Sequence, residues 1–382
     1  MLNHFIDTLS ENNSLLQIIL AITVSAVTSY YVFPIIIQTA KFKDLISNPN
    51  FRSVHVNKIS NLGGLGIFLG IAIVITFFGS QSQPDNLLCL LGSLIILLFT
   101  GLKDDLVGLS PKQKLIGQAI AVSCIIVFSD IRIHSLYGLF GIENLPYTIS
   151  ILFTLFVFVL IINAFNLIDG VDGLAGSIGI ISSLFFGIYF YLTGSHTIMF
   201  LYFSIIGTLS SFLIFNFSKK NKIFMGDTGS MIIGFLLCYQ ATSFLTINQT
   251  VETTYHIQHP IVLVLSIFCF PLMDLVRVFI VRLRLKKSPF SADKNHIHHK
   301  LLLLGLKHWE IALTANVFSL LIVTFYYAFR SFDVNILFTI LTLTVFAFAI
   351  LPSYLYKRNK LVRPVFGISE IKEPNIIRNI SA

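Results

Sequence analysis

Long uncharged stretches alternate with short polar segments along the chain. A membrane helix needs about 20 mostly apolar residues to cross about 30 Å of hydrocarbon. The stretch at 173–218 is long enough for two helices and is interrupted near Gly194, so we divide it there. The pattern predicts an all-α, polytopic membrane protein with about 11 transmembrane helices. They correspond to the uncharged stretches at 12–40, 59–84, 86–102, 115–129, 144–168, 173–218, 228–251, 253–273, 311–329 and 334–356.

The basic residues support this count, because lysine and arginine concentrate in the cytoplasmic loops of membrane proteins. Of the 26 lysines and arginines, 24 lie on the side reached after every odd-numbered helix, and only Arg132 and Arg330 lie opposite. The chain therefore predicts an external amino terminus and a cytoplasmic carboxyl terminus. We expect one polytopic domain over residues 1–356 and a basic cytoplasmic tail over residues 357–382.

Composition excludes a water-soluble globular protein. Hydrophobic residues make up 55% of the chain, charged residues only 12%, and the mean hydropathy is +0.83. The net charge of +8 fits loops that face anionic lipid, and no basic groove with interleaved aromatic residues indicates nucleic acid as a partner. The four cysteines lack metal-ligand spacing and are interpreted as packing residues in a reducing or lipid-shielded setting.

Acidic residues are rare, and several follow odd-numbered helices in polar motifs. Asp104 and Asp105 follow helix 3 in GLKDDLVGLSPKQK, Asp169 and Asp172 follow helix 5 in NAFNLIDGVDGLAG, and Asp227 follows helix 7 in FMGDTGS. All five carboxylates share the predicted cytoplasmic face. They predict one composite site formed by helix ends at the membrane surface.

Two of these motifs suggest a cation. Adjacent carboxylates repel each other and drift toward protonation unless a positive charge is close, so the Asp104–Asp105 pair predicts Mg²⁺, a substrate ammonium, or a lysine such as Lys112 or Lys114. Asp227 opens a helix whose free N–H groups can receive phosphate, while its carboxylate offers hard oxygen ligands to a divalent ion. The structural alternatives are a solvated loop for the pair and a helix cap for Asp227.

Three histidines follow helix 9 in DKNHIHHK, namely His296, His298 and His299. We interpret them as cationic groups that receive phosphate. The alternatives are a structural zinc site, for which a fourth ligand is not apparent, and an interfacial helix with an apolar side. Within helix 9, Asp274 is predicted to pair with Arg277, and Pro271 is predicted to kink the helix.

Five motifs between about residues 50 and 310 resemble, in order, the signatures of the polyprenyl-phosphate N-acetylhexosamine-1-phosphate transferases, glycosyltransferase family 4. They are RSVHVNKISNLGGLGIF, GLKDDLVGLSPKQKLIGQ, NAFNLIDGVDGLAG, FNFSKKNKIFMGDTGS and RLRLKKSPFSADKNHIHHKLLLLG. The resemblance implies that undecaprenyl phosphate attacks the β-phosphorus of a UDP-N-acetylhexosamine and releases UMP. It also implies a Mg²⁺ cofactor, with Mn²⁺ as a substitute, an active site on the cytoplasmic face of a bacterial inner membrane, and a homodimer.

The resemblance also assigns roles by position. Asp227 matches a Mg²⁺ ligand, with Asp105 beside it, and Phe224 matches a ring that stacks on uracil. The residues implied in catalysis are Asp104, Asp105, Asp169 and Asp172. The residues implied in substrate binding are Lys58, Lys112, Lys114, Asn166, Asn216, Phe224, Arg282, His296, His298 and His299.

The HIHH arrangement looks like the branch that transfers N-acetylglucosamine-1-phosphate to begin a surface polysaccharide such as O-antigen, enterobacterial common antigen, capsule or teichoic acid. The branch that transfers phospho-N-acetylmuramoyl-pentapeptide typically carries three consecutive histidines, from which this chain departs. That reaction stays the enzymatic alternative. A secondary transporter and a non-catalytic lipid-binding scaffold are the alternatives from other classes.

Overall fold

The computed structural model describes residues 14–45, 59–78, 84–250, 255–284, 286 and 296–362. This part of the chain is helical, apart from one 3-10 turn and two isolated β-bridges. The α-helices, numbered α1 to α13 in chain order, are Ser14–Phe42, Gly63–Phe78, Pro84–Val107, Pro111–Ser129, Tyr147–Ile168, Leu174–Leu192, His196–Asn216, Gly226–Thr250, Pro260–Ile267, Cys269–Arg284, Ile297–Leu303, His308–Phe329 and Val334–Val362.

The helices confirm a polytopic membrane protein. Nine of those described are long and apolar enough to cross a membrane, and α9 with α10 makes a tenth if that bent pair is one span. Helix α2, predicted to span from 59 to 84, has only 16 residues, which at 1.5 Å per residue is shorter than the hydrocarbon layer. Each of the predicted spans thus corresponds to a helix or a helix pair, but two of them are short or broken.

The ends of α3 and α4 differ from the boundaries that were predicted from the sequence. Helix α3 continues to Val107, and α4 already begins at Pro111. Asp104 and Asp105 therefore lie on the last turn of α3 and not in a loop after it. A helical turn holds its side chains in fixed directions, so the two adjacent carboxylates point to different neighbours.

Helix α8 is the centre of the bundle and is buried along nearly its whole length. It packs against α2, α3, α5, α6 and α9.

The close approach of α2 to its neighbours depends on glycine: a Cβ at Gly70 would lie 2.1 Å from Ser29 Oγ of α1 and 2.6 Å from Thr208 Oγ1 of α7. Small residues in α2 thus allow the close helix contact.

The break between α9 and α10 has a simple cause. The two helices are bent by 75° at Phe268, three residues before Pro271. Because proline has no N–H, it cannot donate to the carbonyl of Ile267, where α9 ends. The kink predicted at Pro271 is confirmed, and α10 then continues to Arg284.

Candidate active site

Asp105 holds the start of the central helix α8. Its Oδ1 accepts a hydrogen bond from the backbone N–H of Asp227 (2.8 Å), and its Oδ2 accepts from the Thr228 N–H (3.0 Å) and hydroxyl (2.6 Å). A carboxylate at a helix N-terminus satisfies N–H groups that lack partners within the helix. Asp105 is therefore the cap of α8, and the alternative in which Asp227 caps its own helix does not apply.

Lys114 lies between the acidic motifs. Its Nζ is 2.9 Å from Asp104 Oδ2 and 3.3 Å from Asn166 Oδ1, and it contacts Asp227 Oδ1. Asn166 also donates to Asp227 Oδ1, and to Ser230 Oγ at 2.8 Å. The first residues of α4 and the last turns of α3 and α5 thus meet the first turn of α8. The lysine predicted beside the acid pair is Lys114.

Asp169 is a buried carboxyl group that lies close to other acidic residues. It follows the last residue of α5 and accepts a hydrogen bond from the backbone N–H of Gly226. Burial raises the pKa of Asp169 well above its usual range, and the nearby carboxylates of Asp227, Asp105 and Asp172 raise it further. Within the described residues, no lysine or arginine forms an ion pair with Asp169. A cation bound here would favour the ionised carboxylate.

Asp172 is paired with two residues that sequence reasoning missed. Its Oδ2 lies 2.6 Å from Lys222 Nζ and 2.9 Å from His308 Nδ1. Burial raises the pKa of Asp172, but His308 and Lys222 lower it more, so the net pKa is below the usual value. The available signals were that Lys222 lies two residues before Phe224 and that His308 opens α12 on the predicted cytoplasmic face.

Asn216 and Phe224 belong to a segment that closes the site between α7 and α8. Asn216 accepts from the Gly173 N–H (2.7 Å) and donates to the Ile223 carbonyl (3.0 Å), so it joins the Asp172 loop to this segment. The backbone of Phe224 pairs with Ser60 and Gly63. Its ring remains partly exposed, with Lys222 Nζ 5.3 Å from the ring centroid. The Phe224 ring thus lies near the Lys222–Asp172 pair.

The histidines and Asp274 form a second cluster against the aspartate loop. Asp274 Oδ2 is 2.9 Å from His296 Nδ1 and 3.7 Å from His298 Nδ1, and its Oδ1 accepts from the Ile297 N–H at 2.7 Å. The prediction that Asp274 pairs locally with Arg277 is wrong. The kinked helix turns Asp274 toward the histidine segment, while Arg277 donates to Ser353 of α13 (3.0 Å).

Burial disfavours the charged form of His298. The side chain is buried, and this lowers its pKa to about 3, although Asp274 favours the protonated form. The imidazole is therefore neutral near pH 7 and can only donate or accept a hydrogen bond. The predicted contact of His298 with phosphate stays a prediction. The buried side chains of His296 and Ile297 also contradict the alternative of an interfacial helix.

The remaining predicted residues are less closely tied to the aspartates. Lys112 is exposed on the first turn of α4, and Arg282 is buried near the end of α10. The ring of His299 lies beside that of His298, with 4.4 Å between centroids. Lys58 lies outside the described residues. The roles assigned to these four stay predictions.

Two groups of side chains could hold a divalent ion. Asp169 and Asp227 supply the hard carboxylate oxygens that Mg²⁺ prefers, in a region where negative charge is in excess. Asp274, His296 and His298 place one ligand atom each within 4.8 Å of one another, and all three are buried. Mixed nitrogen and oxygen ligands favour a transition metal over Mg²⁺. In the sequence, no further ligand was apparent beside the histidines. In the structure, Asp274 supplies one.

Comparison with known proteins shows the family of the chain. Residues 87–245, from α3 to α8, match the model of glycosyl transferase family 4. The chain is 31% identical over 312 residues to the decaprenyl-phosphate N-acetylglucosaminephosphotransferase of Mycobacterium leprae (strain TN), covering 76% of this chain and 78% of that relative. The chain belongs to glycosyl transferase family 4.

A second relative of this family 4 transferase is the undecaprenyl-phosphate alpha-N-acetylglucosaminyl 1-phosphate transferase of Escherichia coli (strain K12). The two are 32% identical over 274 residues, which is 70% of this chain and 72% of the relative. The matching protein of Yersinia pestis is 29% identical over 265 residues, with 68% and 70% covered. This family 4 transferase is a multi-pass membrane enzyme, and the aspartates of its candidate site lie within the segment that defines the family.

Proposed function

We propose that the protein transfers N-acetylhexosamine-1-phosphate, specifically N-acetylglucosamine-1-phosphate, from a UDP-sugar to undecaprenyl phosphate and releases UMP. The supporting observation is the convergence of three aspartates at the ends of apolar helices: Asp104 and Asp227 both pair with Lys114, and Asp169 lies near Asp227. A diphosphate donor needs water and cations, whereas a polyprenyl acceptor needs hydrocarbon. Helix ends at the membrane surface offer both. The names of the relatives support the same acceptor class and the same sugar.

The reaction we propose is a direct displacement. An oxygen of the lipid phosphate attacks the β-phosphorus of the donor, a new phosphorus–oxygen bond forms, and the bond from that phosphorus to the bridging oxygen breaks. UMP leaves with the bridging oxygen, and the sugar keeps its bond to the transferred phosphate. Because the second pKa of a phosphate monoester is about 6, the attacking group is already mostly ionised at neutral pH. Asp104 then serves to position the lipid phosphate and not to deprotonate it.

Asp227 and Asp169 would hold Mg²⁺, with Mn²⁺ as a substitute. When bound, the ion neutralises charge on the diphosphate and on the leaving phosphate. Asp105 was also predicted as a ligand, but both of its oxygens already accept hydrogen bonds from the start of α8. We therefore assign Asp105 the task of fixing the backbone of Asp227, so that the Asp227 carboxylate faces the donor.

The other side chains would bind the donor. Lys222 and His308 hold Asp172, and Lys222 also lies near the face of Phe224. We propose that Phe224 stacks on uracil, that Asn166 keeps Asp227 oriented, and that Asn216 secures the surrounding loop. The proposed placement is the cytoplasmic face of a bacterial inner membrane, and the proposed assembly is a homodimer. The proposed role is the first membrane step of a surface polysaccharide such as lipopolysaccharide.

The test is release of UMP by the purified protein with Mg²⁺, undecaprenyl phosphate and a panel of UDP-sugars. We expect UMP from UDP-N-acetylglucosamine, and none without Mg²⁺ or lipid. Release only from UDP-N-acetylmuramoyl-pentapeptide would support the other branch and contradict the sugar assignment. Absence of release with every donor, with substrate uptake into proteoliposomes, would overturn the transferase and support transport.

Phe224→Ala provides a direct test of the nucleotide pocket. Stacking of a base on an aromatic ring is worth about 1–3 kcal/mol, so binding of the UDP-sugar should weaken by about 5- to 150-fold. Isothermal titration with UDP gives this affinity without turnover. Phe128→Ala is the control, because this exposed ring lies near the end of α4 that is remote from Lys114. Equal UDP affinities for the Phe224 variant and the wild type would remove Phe224 from the pocket.

A further inference from the structure

Asp274 links two segments that are distant in sequence. It is fully buried in α10, and both of its carboxylate oxygens contact the histidine segment that begins α11. Oδ1 accepts the Ile297 N–H at 2.7 Å, and Oδ2 lies 2.9 Å from His296 Nδ1. Because a buried carboxylate is costly without partners, these contacts are both strong and necessary. The carboxylate therefore sets where the histidine segment lies.

His298 lies between Asp274 and the aspartate loop. Its ring is parallel to that of His296, within 11° and with 5.2 Å between centroids. On one side, His298 Nδ1 is 3.7 Å from Asp274 Oδ2 and has no hydrogen-bond partner among the described residues. On the other side, a Cβ built on Gly170 would lie 3.2 Å from His298 Nε2. The ring thus lies beside Gly170, the residue after Asp169.

We propose that Asp274 is a positioning residue for the transfer reaction: it orients His296 and His298 so that His298 meets the Asp169–Asp172 loop at the correct place. The inference rests on the proposed function. Asp274 has no route to the substrate, because its oxygens are enclosed by the histidine segment. It acts through the histidines, of which His298 lies beside the Asp169–Asp172 loop.

Asp274→Asn is the most selective change. The amide oxygen can still accept the Ile297 N–H and keep the start of α11, but an NH₂ group replaces the oxygen that faces His296. Two donors then oppose each other, so the imidazole must turn or change tautomer. A misplacement of about 1 Å can reduce the rate about 100-fold. We expect kcat for UMP release to fall about 10- to 100-fold, with KM for the UDP-sugar within about threefold of wild type.

A double-mutant cycle separates positioning from a general loss of stability. If Asp274 acts through His298, adding Asp274→Asn to His298→Ala should reduce kcat by less than about threefold beyond His298→Ala alone, since contacting residues are not additive. If the two residues had independent roles, the reductions in kcat of the two single variants would multiply in the double variant. Reductions in kcat that multiply, or an unchanged kcat in Asp274→Asn, would overturn the positioning role of Asp274 but not the proposed transferase function. Failure of the wild-type protein to release UMP would overturn both.

Two further measurements keep the proposal testable if Asp274→Asn folds poorly. Gly170→Ala leaves Asp274 in place but pushes against His298 from the other side, and should also lower kcat; a wild-type kcat would contradict the proposed contact. Asn248→Ala is the matched control, because it removes buried hydrogen bonds at the other end of α8.

Elemental analysis of the purified protein is the second measurement. A stoichiometric transition metal that is lost in Asp274→Asn would show a metal site and overturn positioning by hydrogen bonds.

Discussion

The two ends of helix α8 carry polar layers of opposite character. At its start, carboxylates outnumber their cations, and burial together with the neighbouring carboxylates raises the pKa of Asp169. At its other end, about 32 Å away at 1.5 Å per residue, the layer is neutral. There Asn248 accepts from Tyr189 (3.0 Å) and Ile257 (2.9 Å), and the Tyr137 and Tyr326 hydroxyls donate to backbone carbonyls.

The difference separates a structural layer from a functional one. Neutral groups that satisfy each other stabilise a fold and leave no binding capacity for an ion. Carboxylates held close together in a partly buried place are costly unless a cation or a charged ligand joins them, so such an arrangement indicates chemistry. Substitutions at the two ends should therefore affect different measurements.

Asp227→Asn should have the largest effect on activity. It removes the charge that we propose for the metal but keeps the size of the side chain, and loss of one electrostatic group at a reacting centre costs on the order of 10²–10³ in kcat. UMP release at saturating UDP-sugar measures this, with thermal unfolding as the check on folding. A variant with wild-type turnover would place the reacting phosphate elsewhere.

Lys114→Met should rank second and should affect both stability and turnover. It leaves Asp104 and Asp227 without their shared cation, and breaking a buried ion pair costs about 3–5 kcal/mol. We expect about 3 kcal/mol, because the Asp227 side chain is 33% exposed. Lys112→Met, two residues earlier and exposed, is the matched control. Similar unfolding temperatures for the two variants would contradict the central role of Lys114.

Lys222→Met should have a moderate effect that falls on donor binding. Asp172 keeps His308 but loses one charged hydrogen bond, which is worth about 1.5–3 kcal/mol. We expect KM for the UDP-sugar to rise about 10-fold, which corresponds to about 1.4 kcal/mol. Lys220→Met changes an exposed lysine of the same segment and serves as the control. If both variants raise KM equally, the effect is one of net charge and not of the Asp172 contact.

Asn248→Ala should have the smallest effect on activity. It removes hydrogen bonds in the neutral layer, where leaving buried groups unsatisfied costs about 1–3 kcal/mol. We expect a lower unfolding temperature in detergent, with kcat and KM unchanged at a temperature where the protein is folded. Changed kinetic constants would mean that the two ends of α8 are coupled, and the contrast between them would then fail.

Much of the site was predictable from local sequence. The lengths of the apolar stretches place Asp104, Asp105, Asp169, Asp172 and Asp227 at helix ends on one face, and the structure brings these residues together. The predicted lysine beside Asp104 is present as well. These conclusions needed only the distance that a helix can span and the parity of crossings.

The residues that pair with each acidic side chain were not predictable in the same way. Lys114 rather than Lys112 reaches the acids because of the rotation of α4 against α3 and α8. Asp105 meets the start of α8, 122 positions away, and Asp274 meets His296 because α10 follows a 75° bend. From the sequence, Asp105 was instead predicted to be a metal ligand. Asp274 was predicted to form a local ion pair with Arg277, the nearest basic residue on the same helix.

By itself, the sequence determined that the chain is a helical membrane protein and that its scarce charges gather at one end of the helices. It did so because the cost of placing charge in hydrocarbon acts on every residue independently of its neighbours. Only the tertiary structure decided which carboxylate caps a helix, which is paired with a lysine and which, like Asp169, is buried beside other acids. Those outcomes depend on how helices rotate and pack against each other, and hence on contacts between residues far apart in the chain.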